Sequence, residues 1–302
     1  MSVYKLKGVT KDYIWGGYKL SKYFHKGSNE EKIAETWDLS FLDAGLSLID
    51  SGENKGKVLK DVVTIEELGT RAKKYDFFPL LIKYIDSADN LSVQVHPSDR
   101  YARKHEGCLG KTEMWYILEA EEDSFIYLGL NKDYTKREIR RALKEQTIFD
   151  CLNKYEAKPG DSFFIPSGTI HAIGKGVTLV EIQESSNLTY RLYDYGRLDK
   201  NGKPRELHIE KALAVVDLKK YEKPSFSGNL IGFCKYFEVF VHEIPKSKSM
   251  QISPRSFVCI SFIEGEGKLN ELEFKKGDSF FIGAGEKLHI KGKCKIVLSR
   301  LR

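Results

Sequence analysis

Lys158-Pro159-Gly160-Asp161-Ser162-Phe163-Phe164-Ile165 returns later in the chain as Lys275-Lys276-Gly277-Asp278-Ser279-Phe280-Phe281-Ile282. Gly-Asp ahead of a short apolar run is a turn feeding a strand. A repeat of that signal marks two related β units. Outside the repeat, most apolar stretches are also short and punctuated by Gly, Asp, Asn or Lys, as in Phe125-Ile126-Tyr127-Leu128 and Val177-Thr178-Leu179-Val180. Evenly spaced short strands predict β barrels or sandwiches rather than an α/β fold. Three segments read as helices: 64–74, opened by Thr64 with Glu66 and Glu67 in its first turn; 135–146; and 206–216. A polar Pro/Gly/Ser stretch, 219–228, predicts a boundary. The expected division is a first domain over 1–222, with helical insertions, and a second β domain over 223–302.

Working outward from the first copy, Leu91-Ser92-Val93-Gln94-Val95-His96-Pro97 reads as a strand. Alternation puts Gln94 and His96 on one face. In Gly110-Lys111-Thr112-Glu113-Met114-Trp115-Tyr116, Lys111 and Glu113 share a face. Ile165-Pro166-Ser167-Gly168-Thr169-Ile170-His171 adds a second histidine after a Pro/Gly turn. Gln94, His96, Glu113 and His171 together form a four-ligand set for a divalent metal. The second copy lacks this set. His171 lies eleven residues after Gly160, but His289 lies twelve after Gly277, and a one-residue offset turns a side chain to the other face.

The motifs carry a resemblance. The chain resembles the type I phosphomannose isomerases of the short bacterial and archaeal form, built on the cupin fold. The resemblance rests on Gln94-Val95-His96-Pro97, Gly110-Lys111-Thr112-Glu113, Pro166-Ser167-Gly168-Thr169-Ile170-His171-Ala172 and Tyr190-Arg191-Leu192-Tyr193-Asp194-Tyr195-Gly196-Arg197, in that order. Tyr13-Ile14-Trp15-Gly16-Gly17, Ala34-Glu35-Thr36-Trp37-Asp38-Leu39-Ser40 and Arg205-Glu206-Leu207-His208 extend it, and the last quarter of the chain matches loosely. It implies a mainly β chain of two cupin-type barrels or jelly rolls, with a catalytic first domain and a degenerate second one. It implies one Zn2+ per chain, or another divalent ion, on Gln94, His96, Glu113 and His171. It implies catalysis by Arg191, Lys111 and Glu181, and substrate contact by Lys83, Lys111 and Arg191. The implied reaction is aldose–ketose isomerisation of mannose 6-phosphate and fructose 6-phosphate through an enediol(ate). Lys111, Glu181 and a metal-activated water all stand as candidate bases.

Three rival readings stand beside it. An iron-dependent cupin oxygenase would use two histidines and one carboxylate; Gln94 and the cationic side chains speak against it. A non-catalytic sugar-binding cupin has no need of Lys111, Glu181 and Arg191 together. An isomerase for another sugar phosphate is not distinguished by these motifs.

Other residues have expected places in the fold. Trp15 and Trp37 read as core or cavity wall, His105 and Glu106 as a solvent-exposed pair, and Arg197 and His208 as structural. Asp194 is a partner for a neighbouring arginine.

Composition sets outer bounds. The 302 residues carry 49 Lys and Arg against 43 Asp and Glu, a net charge of +6 spread along the chain. No basic block is interleaved with aromatics, which argues against nucleic acid as a partner. The expected partner is a phosphorylated hexose, with the chain a monomer or homodimer. Five dispersed cysteines without a C-x-x-C pair point to reduced thiols in a cytoplasm. The segment from Met1 to Lys7 has no apolar leader core. The run Phe77-Phe78-Pro79-Leu80-Leu81-Ile82 is too short to span a bilayer, so no membrane is expected as a partner.

Overall fold

The computed structural model describes residues 2–199 and 201–302. Met1, where the leader reading begins, and Lys200 lie outside the described residues. The chain is mainly β with a few helices, and its strands form jelly-roll sheets of the cupin kind rather than closed barrels. It divides into two compact units. One comprises Asp12–Gly17 and Ile85–Pro224; the other comprises Met1–Lys11, Tyr18–Tyr84 and Ser225–Arg302.

The unit around Ile85–Pro224 holds a five-stranded sheet. Its order is Tyr190–Tyr193, Val93–Val95, His171–Ile173, Phe125–Leu130 and Leu152–Glu156. A second ladder runs Ser162–Ile165, Glu113–Ala120 and Val177–Glu184, all antiparallel. Register fixes which side chains share a face. Gln183 stands opposite Glu113, which stands opposite Ile165; Glu181 stands opposite Trp115, which stands opposite Phe163. In the five-stranded sheet the corresponding row is Arg191, Gln94 and His171. The apolar body of this unit includes Val93, Val95, Ile170, Ala172, Tyr190 and Leu192.

In the other unit the repeated turn feeds Ser279–Ile282, paired with Val258–Leu269 on one side and Val3–Lys7 on the other. Its core gathers Val258, Ile260, Phe262, Phe274, Phe280 and Ile282. His289 sits on the outward face of Lys287–Lys291, where its Nδ1 meets Ser249 Oγ at 2.8 Å. That orientation is the one expected from its one-residue offset.

Two helices are shorter than the sequence suggests. Thr64 caps a helix over Ile65–Leu68 with a full capping box to Glu67. It stops at Gly69, where φ is +88° and a Cβ would fall 2.6 Å from the Ser256 nitrogen. Only a 3₁₀ turn, Ala72–Lys74, follows. The 206–216 segment becomes a helix only over Ile209–Val215, because residues 206 and 208 are bonded to Arg191 instead. The middle expectation is close: Lys136–Lys144, capped by Thr135 and Glu138.

Candidate metal centre

His96, Glu113 and His171 each offer a ligand atom, and these atoms lie within 4.8 Å of one another. All three residues are buried. The local sequence explains how they meet. Pro97 ends the first strand, and its carbonyl accepts from the Lys111 backbone N–H at 3.0 Å. Gly110 permits this approach, since a Cβ there would fall 2.4 Å from the Asp99 nitrogen. Gly168, at φ +90°, donates its N–H to the His96 carbonyl at 2.8 Å and so ties the Pro166-Ser167-Gly168 turn to the first histidine.

The histidine tautomers follow from their partners. His96 Nδ1 donates to the Leu188 carbonyl at 2.9 Å, and His171 Nδ1 donates to the Thr169 carbonyl at 2.9 Å. Each neutral ring therefore turns the lone pair of Nε2 inward. Burial, with help from the Lys111 charge, lowers the His96 pKa to about 3. Burial also lowers that of His171. Glu113 is pushed the other way. Burial alone would raise its pKa, but the Lys111 ammonium 2.7 Å away outweighs it and holds the carboxyl well below its ordinary value.

Two lone pairs thus face one carboxylate. His171 Nε2 lies 3.1 Å and His96 Nε2 3.6 Å from Glu113 oxygens. Acceptor against acceptor is unfavourable without a cation between them. His96 Nε2 has no hydrogen-bond partner among the described residues. A divalent ion fits this donor set, and backbone carbonyls orient both rings as metal-bound histidines require. Gln94 reaches the same place: its amide nitrogen is 3.3 Å from His171 Nε2, and a half-turn of the amide would present the oxygen instead.

Beside the ligands stand the charged groups. Lys111 Nζ is 2.7 Å from Glu113 and 3.4 Å from Glu181. The second Glu181 oxygen accepts from Trp115 Nε1 at 2.9 Å. The Trp115 indole also packs edge-on against His171, with centroids 5.4 Å apart. The sequence motifs did not single out Trp115; its register opposite Glu181 was the only available signal, and it required the strand pairing. Arg191 is half-buried on the row of Gln94 and His171, and its Nη1 donates to the Glu206 carbonyl at 2.8 Å. Burial, then the neighbouring Arg205, lowers its pKa from the usual arginine value.

Other expected residues fall elsewhere. Lys83 belongs to the second unit, where it pairs with Glu35 at 3.4 Å and lies over the Trp37 ring. Trp15 and Trp37 are buried. Glu106 departs from the expected exposed pair: it accepts from the Tyr190 hydroxyl at 2.7 Å and from Lys211 Nζ at 2.8 Å. Asp194 binds two arginines, Arg197 and Arg205.

Known proteins resemble this chain along its whole length. A model of the phosphomannose isomerase type I catalytic domain matches residues 3–146, and one of the mannose-6-phosphate isomerase cupin domain matches residues 228–301. The mannose-6-phosphate isomerase ManA of Bacillus subtilis is 37% identical over 98% of each chain. A mannose-6-phosphate isomerase of Streptococcus mutans is 36% identical over 89% of this chain and 88% of its own. Among solved structures, the mannose 6-phosphate isomerase from Bacillus subtilis superposes with a TM-score of 0.87 at 35% identity, covering 99% of both chains. A putative mannosephosphate isomerase from Archaeoglobus fulgidus shares the fold, with a TM-score of 0.81 at 24% identity.

Proposed function

This chain belongs to the type I phosphomannose isomerases, and from that premise we propose that it interconverts mannose 6-phosphate and fructose 6-phosphate at the centre formed by His96, Glu113 and His171. The observation that carries the reading is the placement of Lys111, buried between Glu113 and Glu181 beside two inward-facing imidazoles. A buried proton donor and acceptor next to a cation site is what an aldose–ketose isomerase needs.

The residues are assigned as follows. His96, Glu113, His171 and Gln94 would hold one zinc or similar divalent ion. When bound, it supplies Lewis acidity, favouring negative charge on a sugar oxygen. Lys111 and Glu181 handle the proton that leaves C2 of the open-chain aldose and returns at C1. Trp115 fixes one oxygen of Glu181, leaving the other toward Lys111. Arg191 neutralises charge developing on O1 or O2, using forked N–H donors in a water-poor setting. Lys83 is assigned to substrate contact from the family motif alone. The five dispersed free cysteines favour a cytoplasmic setting.

The test is a coupled assay with mannose 6-phosphate, glucose 6-phosphate and fructose 6-phosphate, run on wild type and Arg191→Ala. Mannose 6-phosphate and fructose 6-phosphate should interconvert, and the variant should lose at least ~10²-fold in kcat/KM, a typical cost of removing a charge-stabilising donor. Turnover of glucose 6-phosphate alone would overturn the substrate assignment. Near-normal activity in the variant would overturn the role of Arg191.

A further inference from the structure

A second ion cluster, built on the buried Asp194 and two partly exposed arginines, follows the Arg191 strand, and the isomerisation chemistry makes no direct use of it. Asp194 is 5% exposed. Its Oδ1 accepts from Arg197 Nη2 at 2.6 Å and from Arg205 Nη2 at 2.5 Å, and its Oδ2 accepts from Arg205 Nε at 2.7 Å. The bond to Arg205 is therefore a two-point fork, which fixes direction as well as distance.

Arg205 begins the segment that grips Arg191. The next residue, Glu206, offers the carbonyl that accepts from Arg191 Nη1. Two residues further, His208 brackets the Arg191 backbone: its N–H donates to the Arg191 carbonyl at 2.7 Å, and its Nδ1 accepts from the Arg191 N–H at 3.2 Å. Arg197 is also held by Asp89, 3.0 Å from its Nη1, and the Asp199 N–H donates to the Lys203 carbonyl at 2.7 Å, but these bonds fall before Arg205, so the place of Glu206 rests on the Asp194 fork on one side and His208 on the other. Leu198 is 57% exposed and Leu207 43%. Meanwhile Arg191 Nε is buried without a hydrogen-bond partner among the described residues. The guanidinium is thus aimed largely by one carbonyl, on a segment anchored by Asp194.

We propose that Asp194 is a positioning residue, which through its fork with Arg205 sets the Glu206 carbonyl and thereby aims the Arg191 guanidinium along the row of Gln94 and His171. This rests on the catalytic reading of Arg191. A misplacement of about 1 Å at a reacting centre is worth ~10²-fold in rate, so a remote carboxylate can matter this much.

The experiment compares Asp194→Asn, Arg205→Lys, Arg191→Ala and the double variant Asp194→Asn/Arg191→Ala, each purified with its metal. Arg205→Lys keeps the charge and loses the fork, so it remains informative should Asp194→Asn fold poorly. Asp194→Asn and Arg205→Lys should each lower kcat by ~10- to 10²-fold, with KM changed less than about threefold and metal content unchanged. The double variant should be no slower than Arg191→Ala, because a residue acting only through Arg191 has nothing left to act on. A normal kcat in both Asp194→Asn and Arg205→Lys, beside an inactive Arg191→Ala, overturns the positioning role alone. So does a double variant whose losses multiply. An active Arg191→Ala overturns the catalytic reading and this proposal together.

Discussion

Ile165 and Ile282 occupy the same place in the two copies of the turn-and-strand signal, and their neighbours differ completely. Opposite Ile165 stands Glu113; opposite Ile282 stands Val258. Two residues earlier the pattern repeats: Phe163 faces Trp115, and Phe280 faces Ile260. The third strand follows suit, with Glu181 opposite Trp115 in the first copy and Leu298 opposite Ile260 in the second. One interior row is charged and hydrogen-bonded; the other is apolar at Ile260, Phe280 and Leu298, with the partly exposed Arg300 opposite Val258 at its end. The same backbone signal therefore builds both sheets, and the residues on the facing strand decide which can do chemistry. Fold and function are written on different strands.

The widest gap between the copies should appear on removing a ligand. His96→Ala or His171→Ala should lose most of the bound metal and about 10³-fold or more in kcat/KM, since a Lewis acid is worth several kcal/mol in the transition state. Elemental analysis beside the coupled assay reads both. Metal retained at one equivalent in both variants would sink the site and erase the contrast.

Next is the reverse exchange. Ile260→Glu places a carboxylate in the second interior at the position that answers to Trp115, opposite Phe280 and Leu298 instead of among imidazoles and an ammonium. Burying a charge without partners is costly, so the variant should unfold several degrees lower or fail to accumulate. Thermal melting measures it. An unchanged Tm would mean that the second interior tolerates charge, and the comparison would lose its physical basis.

A smaller effect is graded with pH. His96 and His171 have lowered pKa values when folded, so the unfolded chain binds more protons below about pH 6.5. Stability is fully present above that value and is lost as pH falls toward the folded His96 value of about 3. Glu113, also lowered, acts in the same direction below its ordinary range. Each uncompensated proton contributes a slope of ~1.4 kcal/mol per pH unit. Chelator-treated protein should therefore melt progressively lower from pH 6.5 to pH 4.5, with a shallower slope in His96→Gln. Identical slopes in the two proteins would contradict the buried neutral imidazole.

These contrasts also explain what could be read in advance. The turn signal at Gly160-Asp161 and Gly277-Asp278 is local, so the fold class was legible from a few consecutive residues. Ligand alternation in Gln94 and His96 is local too. Trp115 and Glu181, by contrast, meet only because two strands 66 residues apart share a register. Asp194 has Arg197 within one turn, yet its stronger fork reaches Arg205 across a loop. The helix expected from residue 206 starts at Ile209 for the same reason: Glu206 and His208 are committed to Arg191 before the helix can claim them. Gly69 likewise cut a helix whose Thr64 cap was correctly legible, because a neighbouring backbone leaves no room for a side chain there.

The least effect should come from the one imidazole that mimics the site in sequence. His289 follows Gly277 as His171 follows Gly160, but one residue late, and the strand Lys287–Lys291 alternates exposed and buried so that Leu288 and Ile290 point inward while His289 points out. Its Nδ1 meets a serine hydroxyl, and its backbone N–H donates to Asn270 Oδ1, a bond any residue can make. His289→Ala therefore removes a surface hydrogen bond and no ligand. Stability should shift by no more than about 0.5 kcal/mol, kcat should stay within about twofold, and metal content should not change. Loss of metal in this variant would place a functional imidazole in the apolar copy. The one-residue offset would then have been absorbed by a bulge, and the distinction between a charged and an apolar interior would have to be redrawn at that strand.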